Sequence, residues 1–129
     1  MFEHRDPRIA IFGPSLMSAY RNPDASYYRG MLRCLSELGY IITFYEPEAL
    51  GRQDDIDINP PAWATVRTYK DDRESVDAAL KSASEANILI KASNIGVWDD
   101  YLREQLLECN NREKMVMLWE MEAPIRLTA

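Results

Sequence analysis

Short apolar runs that alternate with helical stripes constrain this chain more than any other feature. Arg8-Ile9-Ala10-Ile11-Phe12, Tyr40-Ile41-Ile42-Thr43-Phe44-Tyr45, Asn87-Ile88-Leu89-Ile90-Lys91-Ala92 and Met115-Val116-Met117-Leu118-Trp119 are rich in β-branched and large apolar residues and are bounded by turn or polar residues. Such runs fit strands of a parallel sheet covered on both faces. Thr65-Val66-Arg67-Thr68-Tyr69 is a weaker strand candidate. Between the strands, Tyr28, Met31, Leu32, Leu35 and Leu38 recur at helical spacing, and Gly39 sits where a helix stop is expected. Asp71 with Glu74 reads as a capping box ahead of a second stripe, Val76, Ala79, Leu80 and Ala83. Trp98, Leu102, Leu106 and Cys109 mark a third.

This order predicts one α/β domain over 1–129, a Rossmann-like, doubly wound parallel sheet of about five strands in the order 3-2-1-4-5 with helices on both faces. The segment from Glu46 to Pro61 is acidic and turn-rich and leaves room for at most a short helical turn. Near the end of the chain Pro124 suits the first position of a helix, yet only five residues follow it. The expectation is a chain that continues naturally into a second domain.

Charge and composition narrow the function classes. Fifteen basic against 21 acidic residues leave a net charge of -6, and no Lys/Arg stripe is present to replace counterions on a phosphate backbone, so no nucleic-acid partner is expected. The longest apolar run is far short of the ~20 residues of a membrane span, and Met1 to Pro7 lacks the apolar core of a signal peptide. Those features suggest no membrane span and a cytoplasmic protein. Cys34 and Cys109 are far apart without CxxC spacing, and His4 is the single histidine, so no metal site, disulfide framework or Ser/His/Asp triad is expected.

In a parallel sheet, ligands gather beyond the carboxyl ends of the strands. That edge would collect Gly13-Pro14-Ser15, Glu46, Ser93-Asn94 and the pair Glu120 and Glu122. Gly13 permits a sharp turn, and Ser15 can offer a hydroxyl or amide. There is no GxGxxG and no GxxxxGK[ST], so neither a dinucleotide loop nor a P-loop is present, and no cofactor is expected. Glu120 and Glu122 are two apart; in an extended segment their carboxylates share one side, where either could take a proton or bind sugar hydroxyls. They could equally stabilise the start of a helix at Pro124. Ser93 and Asn94 can bind hydroxyl groups or close a turn. Tyr20, Tyr27 and Tyr28 could line a carbohydrate cleft, with Tyr28 better placed for the core.

Five segments, in order, resemble the amino-terminal domain of CgeB-like (spore-maturation-protein-like) glycosyltransferases: Ile9-Ala10-Ile11-Phe12-Gly13-Pro14-Ser15-Leu16, Tyr27-Tyr28-Arg29-Gly30-Met31-Leu32-Arg33, Thr43-Phe44-Tyr45-Glu46-Pro47, Lys91-Ala92-Ser93-Asn94-Ile95-Gly96-Val97 and Trp119-Glu120-Met121-Glu122-Ala123-Pro124. The likeness implies a GT-B architecture of two Rossmann-like domains, with sugar transfer from a nucleotide-sugar co-substrate and no required metal. It implies that this chain is the acceptor-side half. Its partners would be a carboxyl-terminal nucleotide-sugar-binding domain and a carbohydrate or glycosylated acceptor. An apolar face left by the missing domain could also make the isolated chain a homodimer. The family's Trp-Asp-x-Asp-x-Pro run is matched by Glu120 and Glu122, which keep the charge but shift it by one carbon. A stand-alone, non-catalytic binding module of the same fold is the alternative.

Overall fold

The computed structural model describes residues 7–14, 24–48, 61–93 and 95–119. The strands β1 (Arg8–Phe12), β2 (Ile41–Glu48), β3 (Ala64–Lys70), β4 (Ile88–Ala92) and β5 (Met115–Trp119) form one sheet. All of its pairings are parallel, in the order β3-β2-β1-β4-β5 expected from the sequence. Helix α1 (Asp24–Glu37) joins β1 to β2, α2 (Arg73–Ala83) joins β3 to β4, and α3 (Asp99–Leu107) joins β4 to β5.

Strand periodicity divides the core in two, because successive side chains point to opposite faces. Ile9, Ile11, Ile42, Phe44, Ile90 and Ala92 meet Tyr28 and Leu32 of α1 on one face. Ala10, Phe12, Tyr45, Tyr69 and Leu89 meet Val76, Ala79 and Ala83 of α2 and Leu102 and Leu106 of α3 on the other. Helices therefore cover both faces. Aromatic rings pack within the sheet and across to α1: Phe12 stacks on its strand neighbour Tyr45 at 4.8 Å between ring centroids, and Tyr28 of α1 meets Trp119 of β5 edge-on at 5.3 Å.

The helix ends follow from local chemistry. Gly39, at φ 107°, ends α1; its N–H donates to Ser36 O, and the Tyr40 N–H donates to Leu35 O. Asp72, not Asp71, caps α2: its carboxylate accepts the Ser75 N–H at 2.7 Å, and the capping bond lowers its pKa. Asp71 is instead bound by the indole N–H of Trp98. At the other end of α2, the Lys114 ammonium donates to the carbonyls of Ser84 and Ala86, a favourable place for a cation.

Three other expectations change. The α1 stripe is narrower than its spacing suggests, with Met31 43% and Leu38 76% exposed while Tyr28 and Leu32 are buried. Strand β2 continues through Glu46-Pro47 to Glu48 instead of stopping there. Tyr45 O accepts the Gly13 N–H, so the alternate position, Pro47, turns its missing donor toward the side that β1 has already left. Finally, β5, at the edge where the expected order puts it, is not the covered strand its apolar run suggests: Met115, Met117 and Leu118 are about half exposed. With a neighbour on one side only, an apolar run need not be a covered one. The expected connection between β2 and β3 at 49–60 lies outside the described residues.

Candidate functional site

A cleft of about 280 Å³ opens where β4 and β5 end, against the amino end of α3. That places it at the carboxyl edge of the sheet, one strand from the reversal of strand order between β1 and β4, the usual ligand position in an open α/β sheet. Lys91 and Ser93 enter it from β4, Leu118 and Trp119 from β5, and Asp99, Asp100 and Arg103 from α3. The Ser93 N–H donates to Trp119 O at 3.0 Å, so the β4–β5 ladder runs to the rim of the cleft.

Lys91 is the unusual residue here. It follows Ile88-Leu89-Ile90 on the strand and is only 7% exposed. A lysine is seldom buried this far unless its charge is paired. Its ammonium donates to Asp99 at 2.8 Å and to the Ala92 carbonyl at 3.0 Å. The Asp99 carboxylate also accepts the backbone N–H groups of Ile95 and Gly96, each at 2.9 Å. Partial burial alone would raise the Asp99 pKa, but the Lys91 bond and the two amides outweigh it and hold the carboxyl below its ordinary range.

The turn leading into α3 is held in an uncommon backbone form. Gly96 has φ 111°, and Trp98, the residue before α3, is left-handed at φ 59° and ψ 22°. A bulky residue in that region is strained and persists where its surroundings over-determine it. Asp99 grips the turn at Ile95 and Gly96, while the Trp98 indole donates to Asp71 at 2.6 Å and its ring meets Tyr101 edge-on. Tyr101 in turn donates to Asp77 at 2.6 Å and accepts from Arg73 at 2.8 Å, with the Arg73 guanidinium 4.5 Å above its ring. The Asp77 hydrogen bond raises the Tyr101 pKa.

The residues expected at this edge are distributed unevenly. Ser93 lines the cleft. Gly13 follows β1, the strand beside β4; a methyl added there would lie 2.5 Å from Phe44 Cζ, so close packing of the Phe44 ring already requires a glycine. Glu46 is fully buried in β2, on the α1 side, just beyond the end of β1. Ser15, Asn94, Glu120 and Glu122 lie outside the described residues, as does Tyr20. Tyr28 is in the core, as its stripe position suggested. Sequence reasoning did not single out Lys91, Asp99 or Arg103. Lys91 had one usable signal, a lone charge inside an apolar strand.

Among the described residues no cluster of His, Cys, Asp and Glu could hold a metal ion, and no helix is long and apolar enough to cross a membrane. Cys34 and Cys109 are free thiols. No family model, no curated protein and no solved structure matches this chain.

Proposed function

We propose that this chain is the acceptor-side domain of a two-domain, cytoplasmic glycosyltransferase that takes a sugar from a nucleotide-sugar. The observation that carries the reading is the cleft at the ends of β4 and β5. Its charges cancel in pairs, Lys91 with Asp99 and Arg103 with Asp100 at 3.5 Å, so it offers donors and acceptors with little net field. Such a surface suits a neutral, hydroxyl-bearing ligand better than an anion. Its volume of about 280 Å³ falls just below the range of about 300–1,000 Å³ usual for ligand pockets, room for a single sugar ring at most. Trp119 lies at its rim with its ring packed on Tyr28 of the α1 face, and Glu120 follows it directly in the chain.

In this reading Glu120 or Glu122 serves as base or acceptor anchor, and Ser15, Ser93 and Asn94 bind acceptor hydroxyls beside Gly13. A carboxyl-terminal domain supplies the donor nucleotide site and stabilises the leaving group. The test is transfer by the full-length gene product against a panel of nucleotide-sugars, with Glu120→Gln and Glu122→Gln alongside. We expect donor-dependent transfer that drops at least about a hundredfold in one variant that remains folded. Transfer that survives both substitutions removes the glutamates from the mechanism, and its absence with every donor removes the transferase reading.

One observation favours a non-catalytic binding module instead. Of the two described carboxylates in the cleft, Asp99 is committed to three hydrogen bonds, and Asp100 is 89% exposed beside Arg103. Asp99 is thereby not left as a general base, and Asp100 stands open to solvent outside any enclosed site. Sugar binding by the chain without transfer by any form of the gene product would select this alternative.

A further inference from the structure

Resting on the reading of the cleft as a carbohydrate site, we propose that Lys91 is the residue that contacts the sugar and that Asp99 is its positioning residue. An ammonium has three donors. Two are used among the described residues, by Ala92 O and Asp99, and Lys91 lines the cleft, so its third is available to a ligand oxygen there.

Apolar packing alone gives no reason for a lysine at this position. Leu89, two residues earlier on the same face, is fully buried, and Leu118 lies opposite Lys91 in the register. An apolar side chain at position 91 would continue that face without the desolvation cost of a charge. The charge is retained with a dedicated partner: Asp99 holds the ammonium at 2.8 Å while its remaining lone pairs bind the Ile95 and Gly96 amides. The ammonium is thereby fixed to the same turn that leads from Ser93 into α3. A donor fixed in this way loses little freedom when a hydroxyl binds, which is how preorganisation raises affinity.

The test is titration of the ¹⁵N-labelled 129-residue chain with the methyl glycosides of glucose, galactose, mannose and N-acetylglucosamine, followed through amide shifts. The expected result is saturable shifts at Ser93, Ile95, Gly96 and Arg103. Lys91→Met should weaken that binding at least about tenfold, as expected for the loss of a charged hydrogen bond, while Lys91→Arg stays within about threefold. Asp99→Asn should weaken binding in the parent but not further in the Lys91→Met background; a purely structural Asp99 would weaken it in both. If Lys91→Met fails to fold, Lys91→Gln carries the same expectation with a shorter neutral donor. Cleft shifts with unchanged affinity in the Lys91 variants overturn this proposal and leave the carbohydrate site standing. Absence of cleft shifts with every glycoside overturns both.

Discussion

Replacing Gly13 by alanine tests whether the glycine after β1 is held there by packing. An added Cβ would stand 2.5 Å from Phe44 Cζ and 3.1 Å from Cε2, against about 3.5–4.0 Å for a comfortable carbon contact. The overlap is about 1 Å. The ring has little room to swing away, since Phe44 is fully buried and Tyr28 packs against it at 6.3 Å between centroids. Over-packing of this kind costs about 1–3 kcal/mol. Alanine also restricts the unfolded chain, which returns about 0.4–1 kcal/mol. With both terms at mid-range the net expectation is a loss of about 1.3 kcal/mol, or a melting point roughly 4–8 °C lower for a domain of this size. Denaturant unfolding of four proteins measures it: parent, Gly13→Ala, Phe44→Leu and the double variant. Leucine removes the far edge of the ring, so in its background the alanine should become neutral or slightly stabilising. An equal penalty in both backgrounds, or none in the parent, would refute the steric argument. A glycine required by ligand approach would show its effect in binding and not in this cycle.

Two further outcomes follow from the hydrogen bonds around α2 and α3. Because the Asp99 pKa is depressed in the folded state, its stabilisation is present above the unfolded value of about 3.9 and is lost as pH falls through the lower folded value. The stability gap between parent and Asp99→Asn should therefore be constant above about pH 5 and shrink as pH falls below the unfolded value; a gap independent of pH in acid melts would contradict this. The Tyr45 hydroxyl bonds Ser82 Oγ at 2.8 Å across the β2–α2 interface, so Tyr45→Phe should cost about 0.5–1.5 kcal/mol in chemical denaturation, and parent-like stability would assign that bond no net value.

Much of the fold was legible because its signals are local. The runs at 8–12, 87–92 and 115–119 became strands at nearly those bounds, and the stripes around Leu32, Val76 and Leu102 became the three helices. Strand order also followed, since right-handed parallel crossovers leave few arrangements for this element order. Where neighbouring residues compete, local reasoning reached its limit: the spacing of Asp71 and Glu74 favours Asp71 as the cap, and Asp72 takes that place. Tertiary contact decides between them, because the Trp98 indole, 27 positions away, takes Asp71 and leaves Asp72 to bond Ser75.

The candidate site was legible as an edge but not as a set of contacts. Apolar periodicity marks where each strand ends, and chain direction in a parallel sheet brings those ends together, so the sequence by itself determined which edge to search and that Ser93 belongs to it. It also determined the charge balance that disfavours polyanionic partners. The burial of Lys91, its bond to Asp99, the left-handed Trp98 and the half-exposed β5 depend on which neighbours each residue meets in space. Periodicity carries no information about those neighbours. The strand order read from the sequence already put β5 at the edge, but that Met115, Met117 and Leu118 stay half exposed there is decided only by what the tertiary structure packs against them.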